Sequence, residues 1–99
     1  MQIYGQISIE DFLQENKGKG LERAFAGWTM KTEQATWKKF MDIRNTFRHV
    51  DRFKQCFIFD VGGNKARLVA RIDFDSGSVD IMHVMTHKEY DRDQWKECC

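Results

Sequence analysis

The sequence predicts an α+β fold in which an N-terminal strand and two or three helices pack on one face of a small antiparallel β-sheet. Three observations predict it. The first half of the chain carries apolar residues at helical spacing. The stretch from Phe53 to Thr86 is rich in aromatic and β-branched residues, with alternating apolar and polar positions. Two turn signals, Gly62-Gly63-Asn64 and Asp75-Ser76-Gly77, cut that stretch into strands. At 99 residues the chain makes one domain, residues 1–99.

Gln2 to Tyr4 is a short opening strand. Ser8 is a good N-cap, with Ile9, Phe12 and Leu13 at helical spacing behind it. Asn16 to Gly20, NKGKG, breaks or kinks that helix. Leu21, Ala24, Phe25 and Trp28 follow at i, i+3, i+4, i+7 and mark a second helix. Thr32 caps a third, with Ala35, Phe40 and Ile43 inward and Lys38 and Lys39 outward. Phe25, Trp28, Trp37 and Phe47 are more aromatics than a three-helix layer needs, so one or two are expected in an exposed interaction patch.

Arg48 to Arg52 reads as a loop and Phe53 to Val61 as a strand. Gly62-Gly63-Asn64 makes a hairpin turn, because these residues tolerate positive φ. In the next strand, Lys65 to Phe74, the two faces differ. Ala66, Leu68, Ala70, Ile72 and Phe74 point one way; Arg67, Val69, Arg71 and Asp73 point the other. One face is core, and the cationic one is expected to be an open surface for a phosphate-bearing ligand. Ser78 to Thr86 is the last strand. From His87 the chain forms a short helix or an extended tail.

The formal charge of +1 conceals an asymmetry. Residues 1–16 hold three acids and no base; residues 17–72 hold thirteen bases against five acids; residues 73–99 hold three bases against seven acids. A basic middle between acidic ends fits a polyanion partner, and it equally fits a mixed solvated surface. Three cysteines, Cys56, Cys98 and Cys99, form an odd set without CxxC, which fits a reducing cytosol. The first fifteen residues lack Lys and Arg, against a secretion signal, and no apolar run approaches the roughly 20 residues of a membrane span. A cytoplasmic location is therefore expected.

Residues 61–72, VGGNKARLVARI, followed by residues 83–91, HVMTHKEYD, resemble the HigB-type toxins of bacterial toxin–antitoxin pairs, mRNA interferases of the RelE-like superfamily. Residues 37–60, WKKFMDIRNTFRHVDRFKQCFIFD, are similar to that family's short helix and entry strand. The resemblance covers about the last two thirds of the chain, and the first third matches in outline. It implies the α+β architecture above and an endoribonuclease that cleaves mRNA without a metal. RNA carries its own nucleophile, the 2′-hydroxyl. Such an enzyme removes that proton, stabilises the crowded phosphorane and protonates the leaving 5′-oxygen.

Three residues are the candidate catalytic groups. His87 is a candidate general acid or base, since histidine is the side chain that ordinarily titrates near neutrality; the alternative is a surface histidine at a strand end. Arg67 follows the family's GGN turn and is a candidate clamp for the scissile phosphate; the alternative is an ion pair with an acid on a neighbouring strand. Tyr90 is placed to donate a hydrogen bond or stack on a base; the alternative is packing against the fold. Lys54 and Lys65, flanking the hairpin, with Asn64, Arg71 and Lys88, are candidate RNA contacts. Asn64 is also explained as a turn residue alone.

His83 and His87 have the HxxxH spacing, but that is a zinc spacing only on a helix. Here the alternation argues for a strand, Cys56 is isolated and the terminal cysteines lie on a tail. Neither a metal site nor a cofactor is expected. The resemblance implies a helix-turn-helix, HigA-like antitoxin as partner, mRNA as substrate with or without the ribosome, contact with operator DNA only through the antitoxin, and no membrane. A second reading is a non-catalytic RelE-like module that binds RNA or protein without cutting. The acidic residues Asp91, Asp93 and Glu97, which follow Tyr90, depart from a fully basic toxin pattern and leave the path of RNA past Tyr90, and with it both readings, open.

Overall fold

The computed structural model describes all residues, Met1–Cys99. Strand β1 (Gln2–Tyr4) is followed by helices α1 (Ile7–Glu15), α2 (Glu22–Gln34) and α3 (Phe40–Thr46). Strands β2 (Asp51–Phe53), β3 (Cys56–Val61), β4 (Ala66–Asp73) and β5 (Ser78–Thr86) then form a meander. A single-turn helix α4 (His87–Tyr90) and a 3-10 turn (Gln94–Cys98) close the chain. The sheet order is β1-β5-β4-β3-β2. The four later strands are antiparallel, but β1 pairs parallel to β5, so the sheet is mixed. A parallel partner needs a long crossover, and the meander supplies only hairpins. The three helices and the rest of the chain between β1 and β5 provide the return.

One face of β4 behaves as its alternation predicts. Ala66, Leu68 and Ala70 lie in a core with Phe57, Phe59, Val61, Val79 and Ile81 beneath Phe12, Leu21, Phe25 and Trp28 of the helical layer. The opposite face is not open. Cys56, Ile58, Val69 and Met85 form a second apolar cluster, capped by Trp95 from the C-terminal turn. Met82 causes part of this. The pairing steps from Val69↔His83 to Ala70↔Ile81, so Met82 is an extra residue in β5. A bulge reverses the facing of everything beyond it. Val79 and Ile81 therefore face the helices, while Met85 joins the other cluster.

Several local expectations change. Ser8 lies inside α1, which begins one residue earlier after Gln6 with no side-chain cap. Thr32 does not cap a helix; it is fully buried within α2, which continues to Gln34. The chain leaves α2 extended at Ala35 so that Trp37 can stack on Phe59 at 6.3 Å. Trp28, Phe47 and Phe59 complete that aromatic cluster. The expected exposed aromatic patch is thus core: Phe25, Trp28 and Trp37 are all buried. Phe53 to Val61 is not one strand but a hairpin. Lys54 and Gln55 make the turn, with Lys54 at positive φ (53°), and Asp51 to Phe53 is a strand rather than loop. In the β3–β4 turn, positive φ falls on Gly62 and Gly63 and not on Asn64.

Cys56, read as isolated, and Cys99, read as lying on a tail, are disulfide-bonded across 43 residues of sequence, and only Cys98 is free. The 3-10 turn doubles the tail back over the sheet, and burial of Trp95 brings Cys99 to the buried end of β3.

Candidate active site

The end of the sheet where β3 gives way to β4 gathers most of the motif residues. Asp60 and Arg67 are directly opposed across β3 and β4. Arg67 Nε donates to Asp60 Oδ1 at 3.1 Å, and Nη1 donates to the carbonyl of Ala66 at 3.1 Å. A long contact of 3.5 Å joins Nη2 to Asn64 Oδ1. Arg67 is only 8% exposed, so the cross-strand ion pair considered for it is realised. Burying a guanidinium is tolerable because its fork is met on several sides.

Tyr90 closes over Arg67. The guanidinium carbon lies 5.4 Å from the Tyr90 ring centre, a cation–π geometry. The ring's other neighbour is Trp95, stacked at 5.1 Å and 10°, whose indole N–H donates to the Tyr90 carbonyl at 3.0 Å. Burial raises the Tyr90 pKa above its usual value of 10.0; the Asp51 carboxylate pushes the same way and Arg67 opposes it. At neutral pH this phenol keeps its proton, so it is a donor.

His87 and Tyr90 sit one turn apart on α4. Sequence reasoning left this segment undecided between helix and tail, yet a signal was present in T-x-x-E. Thr86 Oγ1 accepts from the Glu89 amide at 3.2 Å, and Glu89 Oε1 accepts from the Thr86 amide at 3.0 Å. This capping box starts the helix at His87. Asp91, four residues on, holds His87 Nδ1 at 3.0 Å. The same nitrogen cannot also act on a ligand, so Nε2 is the nitrogen left for one.

His87 lines an open pocket of about 520 Å³ with Gly18, Lys19, Lys65, Thr86 and Lys88. The structure therefore brings His87, Lys65 and Lys88 together around this pocket, and sets Arg67 in contact with Asn64 and Tyr90 beside it. It does not bring Lys54 there. Lys54 turns β2 into β3, at the far end of β3 from Asn64 and Lys65, with its ammonium 5.5 Å from the Phe53 ring centre. Nor is Arg71 a free extension of the cationic face: it pairs opposite Cys56 and donates to the Cys98 carbonyl of the tail. Asp60, Asp91 and Lys19 were missed. Lys19 carries no local signal, being 46 residues from Lys65, whereas Asp60 lies directly across the predicted hairpin from Arg67 and was readable as its partner. Asp91 at i+4 from a histidine was a readable helical pair once α4 was assigned.

A family model described as HigB_toxin, the RelE-like toxic component of a toxin–antitoxin system, matches residues 21–93. The chain is 43% identical over 94 residues to the mRNA interferase toxin HigB of Escherichia coli K12, covering 92% of this chain and 88% of that protein. The mRNA interferase HigB of Shigella flexneri is similar to the same extent. Another mRNA interferase HigB, from Escherichia coli O6:H1, is 35% identical over 54 residues, 52% of either chain.

Proposed function

This chain belongs to the HigB toxins, the RelE-like toxic components of toxin–antitoxin systems, and from that membership we propose that it is an endoribonuclease that cleaves mRNA and so stops translation and growth. The observation that carries the site assignment is the His87–Asp91 pair at the rim of a lysine-lined pocket, one helical turn from Tyr90 over Arg67.

His87 Nε2 takes the proton of the attacking 2′-hydroxyl and returns it to the leaving 5′-oxygen, while Asp91 fixes the ring. The 2′-oxygen attacks the neighbouring phosphorus, the bond to the 5′-oxygen breaks, and the products are a 2′,3′-cyclic phosphate and a 5′-hydroxyl. Lys65 and Lys88 stabilise charge on the phosphoryl oxygens, an effect that is greatest for donors held in place beforehand. Arg67 acts from beneath. It is tied to Asp60 and covered by Tyr90, so it supplies positive potential and holds the tyrosine, whose protonated hydroxyl donates to the phosphate or the leaving oxygen. Asn64 shapes the hairpin beside it. Lys54 and Arg71 have smaller parts, as outlying contacts to a longer RNA.

The same reading supplies the partners: a helix-turn-helix, HigA-like antitoxin that holds the toxin inactive, operator DNA reached only through that antitoxin, and mRNA, with or without the ribosome, in the cytoplasm. Incubating purified protein with mRNA, alone and with ribosomes, tests the activity. Fragments ending in cyclic phosphate are expected. Intact RNA under both conditions, together with unhindered growth on expression without antitoxin, would leave a binding module without catalysis.

A further inference from the structure

The pocket beside His87 is built from three distant segments: Gly18 and Lys19 from the loop between α1 and α2, Lys65 from the β3–β4 turn, and Thr86, His87 and Lys88 from the start of α4. No acidic side chain and no apolar one lines it. None of Lys19, Lys65 and Lys88 takes part in an ion pair; Lys19 Nζ donates to Asn16 Oδ1 at 2.9 Å, and Lys65 Nζ points to the Lys19 carbonyl at 3.5 Å. Three ammonium groups converge here with no ion pair of their own, and the neighbouring carboxylates of Asp91 and Glu89 are engaged with His87 and Thr86, an arrangement that favours an arriving anion.

The convergence is held by packing. Leu21, two residues beyond Lys19, is 2% exposed and rests on Gly62 of the β3–β4 turn. A Cβ at Gly62 would meet Leu21 Cδ2 at 2.5 Å, so only glycine lets this loop close on the hairpin. Gly18 and Gly20, both at positive φ, bend the chain around Lys19 to reach that anchor.

We propose that the Lys19 side of this pocket binds the RNA phosphodiester next to the scissile one, which lies against His87, Lys65 and Lys88, and that Lys19 is therefore an RNA-binding residue. The site deepens the ribonuclease reading above and rests on it for the identity of the anion. Its geometry also suits this ligand: an open, ammonium-lined site neutralises a chain phosphate as a point charge, without the fork a terminal phosphate monoester or carboxylate invites.

The test is salt-dependent binding of a short single-stranded RNA carrying 2′-deoxyribose at the cut position, followed by fluorescence anisotropy with the full chain. Lys19→Gln should weaken binding about three- to tenfold near 0.1 M salt and lower the slope of log K against log salt by about 0.7, the value for one phosphate contact on a single strand. Lys19→Arg should restore both. Lys38→Gln, an exposed lysine outside the pocket, should change neither. An unchanged slope in Lys19→Gln and Lys19→Glu, or an equal loss in Lys38→Gln, overturns the proposal. So does a Lys19→Glu variant that loses only antitoxin binding, since the pocket would then read protein. The outcomes separate the two readings. A parent that binds the RNA in a Lys19-dependent way but never cuts the all-ribose version sustains the pocket and removes the nuclease. A parent that cuts, with Lys19 variants binding normally, does the reverse. A parent that binds no RNA ends both.

Discussion

Breaking the Cys56–Cys99 bond should loosen both the fold and the active site. The two residues are 43 apart in sequence, so the bond closes a loop spanning almost half the chain. The loop-entropy relation for that length gives about 4 kcal/mol of stabilisation at 25 °C, acting mainly on the unfolded state. For a chain of this size, with an unfolding entropy of roughly 2.1 cal/mol/K per residue, that corresponds to a Tm change of about 20 °C. The consequence for the site follows the packing. Cys99 holds the 3-10 turn that buries Trp95; Trp95 stacks on Tyr90; Tyr90 covers Arg67.

The perturbations are Cys99→Ser and reduction by excess dithiothreitol, read by urea unfolding with tryptophan fluorescence and by titration of accessible thiols. Native parent protein should show one reactive thiol, Cys98, and three after reduction and unfolding. Its unfolding midpoint should fall on reduction to that of Cys99→Ser, while Cys98→Ser behaves as the parent. Hydrogen exchange should quicken around Tyr90 and Trp95 in Cys99→Ser. A parent insensitive to reductant, or Cys98→Ser as damaging as Cys99→Ser, would refute the pairing. Unchanged exchange at Tyr90 would refute its coupling to the site.

Other perturbations address the chemistry directly. His87→Gln should slow single-turnover cleavage about a hundredfold or more with little change in RNA affinity, the loss typical of removing a general acid or base; a near-normal rate would leave the cations as the whole catalyst. Arg67→Ala should abolish growth inhibition and Arg67→Lys restore it in part, because an ammonium cannot meet Asp60 and the Ala66 carbonyl as the fork does. Asp60→Asn should cost about 1.5 kcal/mol in urea unfolding, since Asp60 is partly solvated, and lower the cleavage rate by freeing Arg67; an unaltered rate would make the pair purely structural. Cleavage should persist in excess EDTA, because the RNA 2′-hydroxyl serves as nucleophile; activity lost on chelation and regained with a divalent ion would reverse that. Because the native state holds the Tyr90 proton to higher pH than the unfolded state, its contribution to stability is full below pH 10 and declines as pH rises beyond it. Tyr90→Phe should flatten that alkaline decline, and an identical decline in the variant would remove Tyr90 from it.

Much of the fold was legible because it is written in local periodicity. The alternation from Ala66 to Phe74 assigned the core face of β4, the limits of β5 were readable from its turns, and the family resemblance rested on motifs around the same strands. The helical spacing of Leu21, Ala24, Phe25 and Trp28 likewise predicted α2. What failed were places where distant packing outweighed a local preference. Thr32 has the chemistry of a cap, but α2 runs through it to Gln34, and the chain then turns extended at Ala35 as Trp37 is drawn into the core beside Phe59. Met82 supports alternation as well as any residue does, and only pairing with β4 makes it a bulge. The candidate site divides in the same way. His87, Tyr90, Lys65 and Lys88 lie in short segments whose residue types suggest chemistry by themselves. The stack of Trp95 on Tyr90, the approach of Lys19 to Lys65 and the bond of Cys99 to Cys56 each join residues whose closeness depends on how sheet, loop and tail meet. Periodicity determines which side of an element is apolar. It carries no information on what covers the other side, and here a folded-back tail, seated by the burial of one tryptophan, decided that the cationic face would be a covered site and not an open surface.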